Sequence, residues 1–241
     1  MQRTLRTQIV AHRGEHTHAE ENTLAAFTAA IEAGADQIEL DVRYSQDGIP
    51  FVFHDAELGG QPLAALPWAE IRARKPAIPT LKDALHHIQG QIGLDIELKE
   101  AGDEKQILSL IRDVLTPDEF VITSFLPEVV QRVKALDADL HVGLLLDAKS
   151  AESKQHPEKG SPVVYCRELG ADFLAPHHSW IDADFLDLAV QAGIPLYVWT
   201  VNDPEQMKVY LQSGRVTGLI TDDPRLALQI RAGSSSEASG P

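Results

Sequence analysis

The chain has 241 residues, 44% hydrophobic and 24% charged, enough apolar matter for one large core. Acidic residues outnumber basic ones 36 to 21, a formal net charge of −15 that repels nucleic-acid backbones and anionic membranes and excludes both as bulk partners. A single cysteine, Cys166, rules out an intrachain disulfide; with a polar residue 1–8 segment and no apolar run near membrane-span length, the expectation is a cytoplasmic protein without stable membrane anchoring.

Short apolar, β-branched runs alternate with amphipathic helical patterns. Strands are predicted at 8–11, 37–42, 93–98, 120–124, 142–146, 172–175, 196–201 and 218–221, and helices at 22–33, 80–88, 103–115, 127–136, 163–169, 182–192, 204–212 and 224–231. Several helices open on proline, as in Asp203-Pro204 and Asp223-Pro224, where the preceding Asp can cap the first turn; several end in glycine, as at Gly34, Gly170, Gly193 and Gly214. Eight strands strictly alternating with eight helices imply parallel pairing through right-handed crossovers and a closed (β/α)8 TIM barrel, with an open doubly wound sheet as the alternative.

Three stretches break the pattern. Residues 45–54 read as a short hairpin returning from the second strand, with Asp47-Gly48 in its turn, and a reduced Pro-rich insertion follows over 55–79. Residues 147–161 are polar and aperiodic, as expected of a mobile lid. The domain is expected over 1–231, with 232–241 a disordered tail.

Charge gathers where the predicted strands end. In Glu39-Leu40-Asp41, alternation puts both carboxylates on one face and Ile38, Leu40 and Val42 on the other. The apolar face must meet the helices, so the acids point into the barrel mouth. The third strand repeats this, with Asp95, Glu97 and Lys99 inward. Glu39, Asp41 and Glu97 would repel one another without a cation, and a hard divalent ion resolves this, with Mg2+ and Ca2+ both compatible. The alternative is a salt-bridged rim neutralised by Lys99 and Arg13. Asp95, a step deeper, reads as a buried hydrogen-bonded residue. His12 ends the first strand and His54 the hairpin; beside a metal they form an acid–base pair. His16 and His18, in the loop after the first strand, are within reach of a substrate but are expected to face water, and His86 and His87 to be exposed on a helix end. Arg13 offers a fork to phosphate oxygens or a partner to a rim acid. Trp199 suits contact with an apolar or polyol group of a substrate, or packing in the core.

With these residues assembled, the chain resembles the glycerophosphodiester phosphodiesterases. The matching blocks are His12-Arg13-Gly14, Glu21-Asn22-Thr23-Leu24, Glu39-Leu40-Asp41, Asp47-Gly48, His54-Asp55, Pro79-Thr80-Leu81, Glu97-Leu98-Lys99, Ser124-Phe125, Val198-Trp199-Thr200-Val201-Asn202 and Thr221-Asp222, covering residues 8 to 231 in order. The resemblance implies hydrolysis of glycerophosphodiesters to sn-glycerol 3-phosphate and an alcohol, in lipid and glycerol metabolism. It implies Glu39, Asp41 and Glu97 as metal ligands, His12 as base and His54 as acid, and Arg13 and Lys99 on the phosphate. The family usually has proline where this chain has Glu20, and the segment after His54 looks short, leaving the alcohol open. Other readings of the same residues are a lyase forming a cyclic phosphate, a Schiff-base aldolase using Lys99, and a noncatalytic phosphate-ester binding protein.

Overall fold

The computed structural model describes residues 6–148 and 161–237. Its strands are β1 (Gln8–Ala11), β2 (Gln37–Tyr44), β3 (Pro50–Val52), β4 (Glu57–Leu58), β5 (Gln61–Pro62), β6 (Gly93–Leu98), β7 (Phe120–Ser124), β8 (Val142–Leu146), β9 (Phe173–Pro176), β10 (Tyr197–Val198) and β11 (Gly218–Thr221). Its α-helices are α1 (Leu24–Ala33), α2 (Trp68–Arg74), α3 (Leu81–Ile88), α4 (Glu104–Arg112), α5 (Pro127–Leu136), α6 (Pro162–Leu169), α7 (Ala183–Ala192), α8 (Pro204–Ser213) and α9 (Pro224–Glu237).

The parallel strands run β10-β11-β1-β2-β6-β7-β8-β9. Single bridges at Leu174↔Leu196 and His177↔Trp199 join the two ends and close a (β/α)8 TIM barrel. The predicted seventh strand shrinks to two residues. Beyond Val198 the pairing continues only as isolated bonds, Trp199 N–H to Pro176 O at 3.1 Å and Val201 N–H to Ile220 O at 3.0 Å.

Capping follows the sequence. Thr23, Thr80, Asp182 and Asp203 each accept a backbone N–H of the first helical turn, and α1, α6, α7 and α8 end on left-handed glycines. The hairpin also forms, β3 pairing antiparallel to β2 with Val42 opposite Val52. The insertion holds more order than expected: β4 and β5 pair, and α2 packs Ile71 with Leu63, Leu66, Ile78 and Phe51 in a small separate core. The final helix reaches Glu237, past its predicted end at Arg231, so the expected tail begins within it and only 238–241 lie outside the described residues. Most of the expected lid, 149–160, also lies outside them.

Apolar side chains fill two layers. Ile38, Leu40, Val42, Leu94, Ile96 and Leu98 pack outward against the helices, as alternation requires. Inside the barrel, Val10, Leu145, Phe173, Ala175, Tyr197 and Ile220 form a plug. The Phe173 and Tyr197 rings lie 4.8 Å apart, and Tyr197 donates to Gln8 Oε1 at 2.7 Å. Gly143 and Gly218 make room for them; a Cβ on either would sit 2.2 Å from a ring carbon of Phe173 or Tyr197. With the plug below, the free space opens at the carboxyl ends of the strands. No helix among the described residues is long and apolar enough to cross a membrane.

Candidate active site

The turn after β1 sets the first residues. His12 N–H is held by Thr221 O at 3.0 Å, then Arg13 (φ 57°) and Gly14 (φ 85°) are both left-handed. Gly14 is needed on two counts, since a Cβ would also meet Ala26 at 2.8 Å. Arg13 tolerates its conformation because its surroundings hold it: its N–H donates to Glu39 Oε2 at 2.9 Å, Nη1 meets Glu21 at 2.8 Å and Nε lies 3.3 Å from Asp41 Oδ2. Asn22, also left-handed at φ 58°, donates to Asp41 Oδ2 at 2.7 Å.

β2 and β6 pair in register, Glu39 opposite Asp95 and Asp41 opposite Glu97. Like charges in such pairs repel. All four acids are at least nine-tenths buried. Lys99 Nζ enters between two of them, 2.8 Å from Asp41 Oδ1 and 2.6 Å from Glu97 Oε1. Burial opposes the charge of Asp41, but Lys99 and then Arg13 outweigh it and hold this carboxyl below its ordinary range. Burial, then Asp41 and Glu97, push Glu39 well above that range. Burial lifts Glu97 to about 8 against the pull of Lys99. The same acids outweigh burial at Lys99 and keep it charged. A paired ammonium of this kind is the wrong state for a Schiff-base nucleophile, which argues against the aldolase reading. Asp95 behaves as the deeper residue it was expected to be. Thr123 donates to it at 2.6 Å, and burial raises it to about 7.

Oxygen atoms of Glu39, Asp41 and Glu97 lie within 4.8 Å of one another. Although Lys99 touches them, Asp41 Oδ1 and Glu97 Oε1 accept no well-formed hydrogen bond. Buried oxygens left short of partners, in a hard all-carboxylate set, fit a divalent cation. A bound dication would hold all three carboxylates ionised, and with Arg13 and Lys99 the sum would be one positive charge, matched to a phosphodiester anion.

His54 follows β3, positioned by Phe53 N–H on Asp41 O at 3.0 Å and by Arg43 Nε on its own carbonyl at 2.8 Å. Its Nδ1 pairs with Asp55 at 2.8 Å, and burial lowers its pKa. His12, Arg13, Glu39, His54, Glu97, Lys99 and Trp199 line one cavity of about 90 Å3. Trp199 donates Nε1–H to Ala175 O at 2.7 Å and stands edge-on to Phe125 at 5.6 Å; together they form its aromatic wall. The structure thus brings together every residue singled out from the sequence as catalytic, metal-binding or substrate-binding.

Sequence reasoning missed what stands behind His12. Its Nδ1 lies 2.6 Å from Asp222 Oδ1, and His16 Nε2 lies 3.2 Å from the same oxygen. Asn202 donates to Asp222 Oδ2 at 2.6 Å and accepts the Asp222 N–H at 3.0 Å. His16 therefore faces the site rather than water. Burial opposes the Asp222 charge, but the hydrogen bonds from His12 and His16 outweigh it and hold the group far below its usual range, so both nitrogens donate. Asp222 carried the same mark as the other site residues, a charge just past a strand end. His16 carried no signal. His87, expected exposed, is half-buried with Nε2 2.8 Å from the Thr28 hydroxyl.

A parallel barrel whose mouth sets a carboxylate cluster and two cations between imidazoles defines an enzyme acting on an anionic ester. Comparison with known proteins narrows this. Residues 12–226 match the pattern of the Glycerophosphoryl diester phosphodiesterase family, and the chain belongs to that family. A glycerophosphodiester phosphodiesterase of Caldanaerobacter subterraneus subsp. tengcongensis is 29% identical, the match covering 94% of this chain and 98% of that protein. An Oleispira antarctica phosphodiesterase, solved with the product sn-glycerol-3-phosphate, superimposes with a TM-score of 0.80 at 26% identity over 93% of this chain and 96% of that one. The Thermotoga maritima glycerophosphodiester phosphodiesterase gives 0.78 at 27% identity over 93% and 98%.

Proposed function

We propose that this chain hydrolyses a small-molecule glycerophosphodiester to sn-glycerol 3-phosphate and an alcohol, with Glu39, Asp41 and Glu97 holding Mg2+ or Ca2+ and with His12 and His54 as base and acid. The observation that carries this reading is the convergence of both imidazoles, both cations, Glu39 and Glu97 on one cavity, with an Asp41 oxygen within 4.8 Å of those two carboxylates. A bound dication supplies charge neutralisation at the phosphoryl oxygens.

The chain's own groups do the rest. Lys99 and Arg13, which contact different oxygens of Asp41 and both line the cavity, add charge stabilisation at the phosphate as negative charge builds. Asp222 accepts the Nδ1–H of His12, which leaves the Nε2 lone pair as the proton acceptor. His12 Nε2, 4.0 Å from Glu39 Oε2, then takes a proton from the nucleophile. His54 gives a proton to the leaving alkoxide, its ring oriented by the Nδ1 contact with Asp55. Phe125 and Trp199 offer a face for the glycerol carbons.

The test is turnover of a panel of glycerophosphodiesters with Mg2+, Ca2+ or chelator. Activity that vanishes on chelation and returns with either ion supports the reading; chelator-insensitive turnover, or none with any ion, removes it. His12→Ala and His54→Ala should each lower kcat by about a hundredfold or more. Cyclic glycerophosphate trapped in a slowed reaction would assign the attack to the substrate's own hydroxyl rather than water.

A further inference from the structure

His12, His16 and Asp222 form a second group of ligating atoms at the barrel mouth, all within 4.8 Å of one another and separate from the acidic triad. The reaction as derived uses His12 and Asp222 and leaves His16 without a task. His12 Nδ1 and His16 Nε2 face one carboxylate oxygen at 2.6 and 3.2 Å. Neighbouring ligands on a tetrahedral ion, with bonds near 2.0–2.1 Å, stand about 3.3 Å apart, so little movement separates the hydrogen-bonded cluster from a metal site.

The donor chemistry differs from that of the triad. Two imidazoles and one carboxylate suit zinc and similar borderline ions, whereas Glu39, Asp41 and Glu97 suit hard ions. Asn202 clamps the outer oxygen and the N–H of Asp222, as an outer partner does for a ligating carboxylate. The side chains of His12, His16 and Asp222 are 17, 21 and 34% exposed, open enough for an ion to enter with a water in its fourth position. Glu39 Oε2, 4.0 Å from His12, adds negative charge nearby.

We infer that His12, His16 and Asp222 form an inhibitory site for a zinc-like divalent cation. Ligation replaces the Nδ1–H···Oδ1 bond of His12 with a metal–nitrogen bond. The ring's proton then sits on Nε2, so the lone pair that faces the cavity is gone while the ring stays neutral. His16 releases to solvent the Nε2–H that it donated to Asp222 and ligates through Nε2, its ring proton on Nδ1. The loss of turnover rests on the role proposed above for His12; occupancy of the site does not.

The test compares wild type with His16→Gln, both saturated with Ca2+. Zinc binding is followed by calorimetry, and cobalt(II) binding by the visible bands of a low-coordinate nitrogen–oxygen site. His16→Gln, with inhibition referred to its own zinc-free rate, should lose the cobalt bands and raise the half-inhibiting zinc concentration at least about tenfold, since even outer partners of a metal site are worth that much in affinity. His16→Ala serves as a second variant with the same expectation. Equal binding and equal inhibition in wild type and variants would place zinc on the acidic triad and overturn the inference, as would wild type that shows no such bands and no zinc uptake. If neither protein turned over any glycerophosphodiester, only the proposed function would fall, because calorimetry and the cobalt spectrum still decide the site.

Discussion

The proposed reaction needs His12 as a directed base, which requires that something fix the nitrogen carrying its proton; Asp222, itself held by Asn202, lies 2.6 Å from His12 Nδ1. Asp222→Asn removes the ionised acceptor and should lower kcat by about a hundredfold or more with little change in KM, measured by steady-state turnover. The same carboxylate couples the site to stability. The hydrogen bond to Asp222 raises the pKa of His16; burial and Arg13 oppose this, and Glu21 assists. A raised histidine contributes stability in full below its unfolded value of about 6.5 and loses it as pH rises through the folded value. Asp222, held low, contributes above its unfolded value of about 3.9. The gap in Tm between wild type and Asp222→Asn should therefore be widest near pH 5–6 and narrow at pH 8–9, read by thermal melts across that range. Cys166 is fully buried, and burial raises its thiol to about 12, so a thiol reagent should label it only under denaturing conditions.

Parallel strands of a small barrel crowd their inner faces, and β8 and β11 relieve this with Gly143 and Gly218 under the Phe173 and Tyr197 rings. Gly143→Ala or Gly218→Ala should cost about 1–3 kcal/mol by overpacking, seen as a lower denaturation midpoint, while a capping change such as Asp203→Ala on α8 should cost only about 1 kcal/mol. The strands and helices were legible because the patterns are local: period-two alternation, a capping side chain before α1, α3, α7 and α8, and glycine after α1, α6, α7 and α8. Even the inward pointing of Glu39, Asp41, Glu97 and Lys99 followed from alternation, since Ile38, Leu40, Val42 and Leu98 had to meet the helices. The insertion was not legible in the same way. β4 and β5 are two residues each, too short for any period, and α2 is held by a small cluster that joins Ile71 to Phe51, Leu63, Leu66 and Ile78.

Across the whole molecule, the closed barrel concentrates carboxylates that would be unstable together without a counter-ion. A divalent cation binding only the folded state should add about 2.7 kcal/mol at a hundred times its Kd, so Ca2+ or Mg2+ should raise Tm in wild type and not in Asp41→Asn. Residues on one strand, or on strands joined by a regular pattern, could be grouped from their order alone, and that accounts for the acidic cluster with its lysine. His12 and Asp222 are 210 positions apart, and they meet because β11 closes onto β1, pairing Ala11 with Thr221. His16 joins them through an irregular turn that Arg13 and Gly14 force into the left-handed region. Alternation and capping are properties of neighbouring residues, so they can be read along the chain. Ring closure and loop path depend on the summed packing of every unit, so the partners of His12 emerge only when the barrel is shut.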